Sequence, residues 1–516
     1  MRAPGSGKTF CIAILFWVAT AVALSAQTYT TLWTFIPSEG NGPAGGGSLM
    51  QGLNGELIGQ TGLGGSFNNG TLFEMVPNGR ALSSLSFGGG CGPNCTAGQP
   101  IGSLLQAPNG TLYGVTNTGG AYVNGTVYQF TGSEGVSILH SFCPQLGCAD
   151  GTYPTGGLVF GFTGKLYGIT GAGGTGAACP RQFDPLGCGA IFEITPAGTF
   201  TTLYSFCPQA GCTDGASPTW ALVLSTNGKF YGTTENGGIG NGDCVSYGCG
   251  TIFDISTAGT LTTLHRFCTS TNSNGFCTDG EAPSNGVIQG ADGNFYGTTK
   301  SGGANGGGTV FKITPQGKLT TLYNFCSEAN CLDGENPYAG LIQATDGNFY
   351  GTTTAGGAYS NRTCLGACGT IFEITPAGQY TKLHDFCSQT DCADGSTPAG
   401  ALLQSTNGEF FGAALQGGNS GCTLGCGTLF SLATGLGPFV RTNPGFGKVG
   451  SRVDVLGNAL TGATAVTFNG VAATFKVVSS TEITATVPTG ATTGTIKVTT
   501  KGGTKLSSNV PFLVLP

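Results

Sequence analysis

Short apolar runs recur along the chain and are separated by glycine, asparagine, aspartate and proline. One stretch holds four such runs, Gly286–Gly290, Asn294–Thr299, Thr309–Thr314 and Lys318–Phe325. Asp-Gly or Asn-Gly joins the first two runs and Thr-Pro-x-Gly joins the last two, and both are turn sequences. No segment keeps the 3.6-residue apolar period of a helix. The pattern therefore predicts units of four short antiparallel strands.

The four-strand unit is repeated along the chain. Its clearest mark is a glycine in the turn between the first and second runs, as in LLQAPNGTLYGVT and LIQATDGNFYGTT. Seven copies, 54 to 65 residues apart, carry this glycine: Gly55, Gly110, Gly164, Gly228, Gly293, Gly347 and Gly408. Repeated four-stranded sheets are typical of β-propellers.

The two ends of the repeat region complement each other. TTLWTF at Thr30–Phe35 matches the fourth run of a later copy, TTLYNF at Thr320–Phe325, whereas the seventh copy has three runs and ends after GTLFSLA. We therefore predict an all-β fold: a seven-bladed β-propeller over residues 27–436, with four-stranded blades and the N-terminal strand closing the last blade. The aromatic residues repeated in every copy are expected to pack between blades; a stacking platform for sugars is the alternative.

The N-terminus has the order of a secretory signal. Arg2 and Lys8 precede an apolar run, Phe10–Leu24, and the small residues Ser25 and Ala26 follow it. Residues 1–26 are predicted to be a cleaved signal peptide, with an uncleaved anchor as the alternative, and no second apolar stretch could span a membrane.

Residues 27–436 hold 10 basic and 23 acidic side chains. This acidic excess argues against a nucleic-acid partner, because phosphates need cations.

Twenty cysteines follow the signal, and all of them fall into local pairs. An even number in an exported chain predicts disulfides, and zinc ligation is the alternative for such short spacings. The pairs are Cys91–Cys95, Cys143–Cys148, Cys179–Cys188, Cys207–Cys212, Cys244–Cys249, Cys268–Cys277, Cys326–Cys331, Cys364–Cys368, Cys387–Cys392 and Cys422–Cys426.

The cysteine pairs divide the predicted body into two ends. All ten lie in second-to-third or fourth-to-next-first connections, which emerge at one end of antiparallel blades. We call this end the loop face. The opposite end, formed by the tight Asn-Gly, Asp-Gly and Pro-x-Gly turns, is the turn face. Because binding residues concentrate on loops held by a rigid scaffold, the loop face is the candidate functional surface.

Little in the repeats predicts chemistry. Aspartates that follow the second cysteine of a pair are weak calcium candidates, and an ordinary Asp-Gly turn is the alternative: Asp150, Asp214, Asp279, Asp333 and Asp394. The three histidines, His140, His265 and His384, share one register in which other copies have tyrosine, so packing is expected. No nucleophile elbow or zinc-protease motif occurs. A carboxylate pair across the central channel, as in glycosidases, stays open.

The pattern changes at Gly437. Residues 437–516 show short alternating strands, including VTFNGVAA at Val466–Ala473 and ITATVPTGATTGTIKVTT at Ile483–Thr500. This segment resembles the IPT/TIG family of immunoglobulin-like domains, and the resemblance implies a β-sandwich that serves as a spacer or an interaction module.

The repeats resemble the GloVer tandem repeat of bacterial "choice-of-anchor" exported proteins. The matching features are L-x-Q-x-x-[DN]-G-x-[FL]-Y-G-x-T, G-T-[VI]-F-x-I-T-P-x-G and L-x-x-L-[YH]-x-F, over residues 28–432. The resemblance implies export and residence outside the cell or at its surface, and it brings no catalytic residues. Members often end in a sorting anchor, and we expect none here.

Three functions remain. The first is a secreted or cell-surface, non-catalytic binding or adhesion protein that presents the loop face to a glycan or a protein. The second is a secreted propeller enzyme, a hydrolase or lyase acting on polysaccharide, and the third is a structural envelope protein without a discrete ligand. We expect a monomer, no catalytic residues, no cofactor except calcium at the aspartates named above, and no transmembrane segment after signal cleavage.

Overall fold

The computed structural model describes residues 27–43, 49–80, 82–88, 97–132, 135–176, 179, 186–238, 240–241, 244, 246–359, 368–418 and 421–516. The prediction of an all-β protein is confirmed: within these residues the regular elements are short strands, together with the 3₁₀ turns Ala329–Cys331, Thr390–Cys392 and Leu460–Gly462. No helix in the described part of the chain is long and apolar enough to cross a membrane.

The first half of the repeat region forms three consecutive antiparallel sheets, numbered here along the chain. Sheet 1 contains Asn41–Pro43, Met50–Gln51, Leu57–Leu63, Thr71–Met75 and Leu82–Ser86. Sheet 2 contains Gly98–Gln106, Leu112–Thr118, Thr126–Thr131 and Gly135–Ser141. Sheet 3 contains Thr152–Phe160, Leu166–Ala172, Ala190–Ile194 and Phe200–Ser205.

Three further sheets repeat the same strand order. Sheet 4 contains Ala216–Leu224, Phe230–Asn236, Thr251–Ile255 and Leu261–Arg266. Sheet 5 contains Val287–Gln289, Phe295–Thr299, Thr309–Ile313 and Leu319–Asn324, within one or two residues of the four predicted runs. Sheet 6 contains Ile342–Gln343, Phe349–Thr353, Thr370–Ile374 and Tyr380–Asp385.

Sheet 7 combines the two ends of the repeat region. It contains Ser396–Pro398, Leu403–Gln404, Phe410–Gln416 and Thr428–Ala433. Its outer strand is Thr28–Thr34, which pairs antiparallel with Thr428–Ala433 so that Thr28 lies opposite Ala433. The ring of Tyr29 in this strand stacks on His384 of sheet 6 at 3.8 Å between centroids. The N-terminal strand therefore packs against both of the last two sheets.

One backbone hydrogen bond recurs between neighbouring sheets. It joins each of sheets 2 to 7 to the preceding sheet, and it joins sheet 1 to sheet 7. The donor precedes a proline at the start of the sheet and has a positive φ, between 51° and 61°. Such a conformation costs a non-glycine residue about 1–3 kcal/mol, so packing must maintain it. The seven bonds run from Gly42 to Cys426, Gln99 to Asn69, Tyr153 to Asn124, Ser217 to Cys188, Ala282 to Cys249, Asn336 to Gly307 and Thr397 to Cys368.

Aromatic side chains fill the space between the sheets. Tyr167, Tyr231, Tyr296 and Tyr350 from second strands are almost fully buried. Each packs on a phenylalanine of the next sheet; Tyr231 and Phe295, for example, stack at 3.8 Å between centroids. Repeated aromatics therefore form the core between sheets, which is the packing interpretation given above.

The C-terminal segment folds as two facing sheets with its own core. One sheet contains Arg441–Asn443, Arg452–Leu456, Phe475–Val477 and Glu482–Thr486; the other contains Ala463–Phe468, Val471–Ala472, Ile496–Thr500 and Lys505–Ser507. Phe446–Lys448 and Leu513–Leu515 form a parallel pair beside them. Val453, Val455, Val466, Phe468 and Ile483 are buried between the two layers.

The C-terminal domain lies on the turn face of the repeat body. Asn443 Nδ2 donates to the Gln106 carbonyl at 3.1 Å, and the Phe439 N–H donates to the Thr406 carbonyl at 3.0 Å. Thr481 Oγ1 donates to the carbonyl of Leu53 at 3.2 Å. These contacts involve sheets 2, 7 and 1, so the domain covers one end of the body and leaves the loop face uncovered.

Candidate binding surface

The loops of this surface begin with a pair of glycines that ends the second strand. Gly64 and Gly65 of sheet 1 have φ of 79° and 74°, a region that only glycine adopts at little cost. A Cβ on Gly64 would lie 2.7 Å from the backbone nitrogen of Asn41. The same pair recurs in the other sheets, for example as Gly302 and Gly303. The glycines turn the chain sharply, and the three or more residues that follow project from the loop face.

Disulfide bonds close many of these loops. Within the described residues they join eight pairs: Cys143–Cys148, Cys179–Cys188, Cys207–Cys212, Cys244–Cys249, Cys268–Cys277, Cys326–Cys331, Cys387–Cys392 and Cys422–Cys426. Residues 91 and 95 and residue 364 lie outside the described part, so the predicted pairs Cys91–Cys95 and Cys364–Cys368 do as well.

Two disulfides lie side by side in sheet 4. The sulfurs of Cys244, Cys249, Cys268 and Cys277 all lie within 4.8 Å of one another, and Cys244 Sγ is 4.0 Å from Cys277 Sγ. Four thiolates at such distances would suit zinc, but each of these sulfurs is already bonded to a second sulfur. Zinc ligation would require reduction of both bonds.

The aspartates singled out as calcium candidates organise the fourth-to-first loops. Asp150 Oδ2 lies 2.8 Å from His140 Nε2, and Asp150 accepts the Cys143 N–H at 3.0 Å. Asp279 repeats this arrangement with His265 and Cys268. Each carboxylate thus connects the fourth strand to the loop that follows it, and the histidine acts as a packing and hydrogen-bonding residue, as its exchange with tyrosine predicted.

Tyrosine replaces histidine in two of the remaining loops. Tyr204 donates its hydroxyl hydrogen to Asp214 at 2.9 Å, and Tyr323 donates to Asp333 at 2.8 Å. Burial and the neighbouring carboxylates raise the pKa of both tyrosines. Among the described residues, none of the five aspartates belongs to a group of three or more potential metal ligands. Calcium at these aspartates stays a prediction. In the structure each of the five carboxylates accepts a backbone N–H of its own loop.

Asp394 is the most buried of the five. It accepts the Ser388 N–H at 2.9 Å and the Ser388 hydroxyl at 2.7 Å, and His384 Nε2 lies 3.4 Å away. Burial opposes ionisation of this carboxyl, but the hydrogen bonds outweigh it and lower the pKa of Asp394 below its ordinary value. The carboxylate form therefore stabilises this loop.

The exposed large hydrophobic residues of the repeat body share one location. Every one that the structure describes lies on the loop face: Ile36, Leu63, Phe67, Tyr122, Val123, Leu146, Tyr247, Leu332, Tyr359 and Leu424. Three of the aromatics, Phe67, Tyr122 and Tyr359, occupy the same place, three residues after the first glycine of the pair. Exposed apolar residues grouped on one face are a mark of an interaction site.

A second group of side chains lies where the first strands approach one another. Trp220 of sheet 4 reaches toward sheets 5 and 6: a Cβ on Gly286 would lie 3.1 Å from its Cδ1, and a Cβ on Gly340 would lie 3.3 Å from its Nε1. Lys300 Nζ lies 5.7 Å from the ring centroid of Tyr338. Burial raises the pKa of Tyr338, and the negative charge of Glu235 adds to the effect. Residues of sheets 4, 5 and 6 therefore converge near the loop face.

Acidic side chains also occur in these segments of sheets 4, 5 and 6. Glu281 and Glu335 begin the corresponding segments of sheets 5 and 6, but both lie against disulfides. Glu281 Oε2 is 3.2 Å from Cys277 Sγ, and a Glu335 oxygen is within 4.8 Å of the Cys326 and Cys331 sulfurs. Among the described residues, Glu235 is the acidic neighbour that influences Tyr338. General acid–base hydrolysis needs two carboxyl groups flanking one bond.

Two features of the sequence mark these residues. Phe67, Tyr122 and Tyr359 follow a glycine pair at a constant distance, which marks a projecting position. Trp220 stands where the neighbouring repeats have Gly102 and Gly156. A bulky residue at a position where the other repeats have glycine indicates a site where several strands of the body approach closely.

Comparisons with known proteins identify two kinds of sequence unit in the chain. The Gloeobacter/Verrucomicrobia repeat matches residues 18–181, 94–277 and 246–474, and the IPT/TIG domain matches residues 440–514. No curated protein matches the chain.

Two solved structures illustrate the structural likeness. The extracellular domain of a protein described as a one-component system of B. thetaiotaomicron is 12% identical, with a TM-score of 0.45, over 95% of this chain and 59% of that one. This chain thus spans about three fifths of that structure. A luciferin-regenerating enzyme is 13% identical, with a TM-score of 0.39, over 66% of this chain and 93% of the enzyme.

Proposed function

Because the chain belongs to the Gloeobacter/Verrucomicrobia repeat family and carries an IPT/TIG domain, we propose that it is an exported, non-catalytic binding or adhesion protein. Its loop face binds a glycan or a protein outside the cell or at the cell surface. Many disulfides in the described residues support export, since such bonds persist in oxidising compartments. The C-terminal domain serves as spacer or dock, and the protein acts as a monomer.

The scaffold of this proposal is a closed ring of seven blades. Two hydrogen bonds between the last and the first sheet support it: Gly42 donates to the Cys426 carbonyl at 3.0 Å, and Thr406 donates its N–H to Gln51 Oε1 at 3.1 Å. Equivalent bonds join consecutive sheets elsewhere. A closed ring leaves no free sheet edge between its ends, and it holds the loops of all blades on one rigid base.

The observation that carries the function is the position of the exposed hydrophobic residues. Phe67, Tyr122, Tyr359 and Leu424 belong to sheets 1, 2, 6 and 7, which are neighbours in a closed ring. Tyrosine provides large contact area and a hydroxyl at little entropy cost, so it suits both sugar faces and protein surfaces. A structural envelope protein without a ligand is not expected to concentrate its exposed hydrophobic side chains at one end.

The test is a glycan-array and polysaccharide-pulldown screen of the oxidised full chain, with release of reducing sugar ends measured in parallel. The variant Tyr122→Ala with Tyr359→Ala removes two projecting rings, and Val449→Ala on the C-terminal domain is the matched control because Val449 is also exposed. We expect saturable binding without sugar release, weakened about tenfold or more by the tyrosine variant and unchanged in the control.

Two results would contradict this proposal. Release of sugar ends would show an enzyme and direct attention to Glu235. Binding that is unchanged in the double tyrosine variant would place the ligand elsewhere than on the loop face. If no glycan binds, the same pair of variants is compared for adhesion of whole cells that display the protein, and equal adhesion would exclude the loop face for protein ligands as well.

A further inference from the structure

A cavity lies between the turn face and the C-terminal domain, at the end opposite to the loop face. Its volume is about 600 Å³, which is within the range of small-molecule sites. Most of its wall is apolar, with Phe160 and Leu224 on the repeat body and Phe446, Val510 and Leu513 on the C-terminal domain. A smaller cavity of about 350 Å³ adjoins it and shares Gln343, Asn509 and Val510 among its lining residues.

The apolar wall arises where two repeats depart from the common pattern. Five sheets carry glutamine at the end of the first strand, and its side-chain oxygen accepts an N–H from the turn of the preceding sheet. Gln289 accepts from Thr226 at 3.1 Å and Gln343 from Ala291 at 2.8 Å. Sheets 3 and 4 have Phe160 and Leu224 at this position, and both side chains line the cavity instead. At these two positions the hydrogen bond between sheets is missing, and an apolar side chain forms part of the cavity wall instead.

One cation lines the smaller of the two adjoining cavities. Arg441 lines the smaller cavity and donates one hydrogen bond, to the Gln51 carbonyl, which leaves most of its five donors for other partners. Within the described residues no aspartate or glutamate lines either cavity. Burial lowers the pKa of Arg441 to about 10, so the side chain stays charged at neutral pH. Arg441 is partly buried, and a guanidinium there without a carboxylate beside it is stabilised by the approach of an anion.

We propose that these adjoining cavities form a binding site for a small amphiphile with an apolar body and one carboxylate. The apolar body occupies the space beside Phe160, Leu224 and Phe446, and the carboxylate binds Arg441. The planar guanidinium suits a carboxylate because it offers paired donors in a fixed geometry. Asn443 and Asn509 add polar groups to the wall of the larger cavity. This site is independent of the proposed ligand of the loop face.

The test compares dodecanoate with dodecanol, which have the same chain and differ in the charged group. Both are titrated calorimetrically, below micelle formation, into the full chain after its bound lipid has been removed on a hydrophobic resin. We expect one site per chain and about tenfold or more tighter binding of the acid. Arg441→Gln, which keeps a donor for the Gln51 carbonyl, should weaken the acid by that factor and leave the alcohol unchanged.

Leu224→Gln is the second variant, because it restores the glutamine of the other repeats and thus disturbs the body little. It should weaken the acid and the alcohol alike, by about tenfold, since it places a polar group in the apolar wall. Thermal unfolding of each variant shows whether it is folded. Absence of saturable binding, equal affinity for acid and alcohol, or an unchanged acid affinity in Arg441→Gln would overturn the proposal.

Discussion

The two ends of the repeat body are held together by different interactions. On the loop face, each sheet is joined to its neighbour by the repeated backbone hydrogen bond, but the disulfides and loop carboxylates act within one sheet and its own loop: Asp150 bonds to His140 and to the Cys143 N–H, and a disulfide joins Cys143 to Cys148. On the turn face, the recurrent contact runs between sheets, as when Gln343 accepts from Ala291. The disulfides and loop carboxylates thus act within single loops, whereas the glutamines of the turn face act from sheet to sheet.

This difference explains which end can vary. A fourth-to-first loop that carries its own carboxylate and disulfide can change in sequence with little effect on neighbouring loops, apart from the backbone hydrogen bond that joins each sheet to the next. A turn that must donate to the next sheet cannot vary in this way. Where Phe160 and Leu224 replace the glutamine, this hydrogen bond between sheets is missing, and the turn face has a cavity. Binding to an exposed ligand is therefore expected at the loop face, and a buried ligand at the turn face.

The largest effect is expected from removal of a loop carboxylate. Asp394→Ala removes a buried carboxylate that accepts the Ser388 N–H and the Ser388 hydroxyl and lies 3.4 Å from His384 Nε2. It should lower the free energy of unfolding by about 3 kcal/mol. Asp292→Ala, on the turn face, removes a half-exposed acceptor of Asn294, the Tyr296 hydroxyl and Lys312, and it should cost only about 1 kcal/mol because water can replace the exposed bonds. Denaturant unfolding of the two variants measures the contrast, and equal losses would contradict it.

The same aspartate predicts a pH dependence. The pKa of Asp394 is lower in the folded protein than its ordinary value, so its contribution to stability is present above a pH of about 4 and is lost as the pH falls through the folded pKa. The stability difference between wild type and Asp394→Ala should therefore be constant near neutrality and shrink in acid. A difference that grows as the pH falls would show that the carboxylate has the opposite role.

A smaller effect is expected from loss of a single disulfide. Cys326→Ser with Cys331→Ser opens a short loop and should lower the free energy of unfolding by about 2 kcal/mol on the chain-entropy model. The unfolding transition should keep its slope, because the bond stabilises only its own loop. A transition that splits into two would show instead that the bond connects distant parts of the body.

The smallest effect is expected from loss of one glutamine hydrogen bond between neighbouring sheets on the turn face. Gln51→Leu removes the acceptor of the Thr406 N–H, between the last and the first sheet, and Gln289→Leu removes the equivalent acceptor of the Thr226 N–H within the body. Each should cost about 1.5 kcal/mol. Equal losses in calorimetric melts are expected for a closed ring, whereas a negligible loss for Gln51→Leu would show that the two ends do not stay together.

Much of the fold was predictable because its signals are local. Turn glycines such as Gly293 and Gly347 separate the first and second strands, and the observed strands of sheet 5 begin and end within two residues of the predicted runs. The cysteine pairs also lie close together in the sequence. The candidate binding surface was predictable as a face, from strand direction alone, but its exposed aromatics were not identified. Exposure depends on neighbouring sheets, which no local pattern describes.

The sequence by itself determined the strands, the turns, the seven-fold repetition and the separate C-terminal domain, since these depend on residues within one repeat. Only the tertiary structure decided which distant residues meet. Gln51 contacts Thr406 across 355 positions, Trp220 reaches glycines of two later sheets, and Arg441 faces a cavity formed with the repeat body. These contacts arise from the way whole sheets and domains pack, and packing is set by shape and burial summed over many residues.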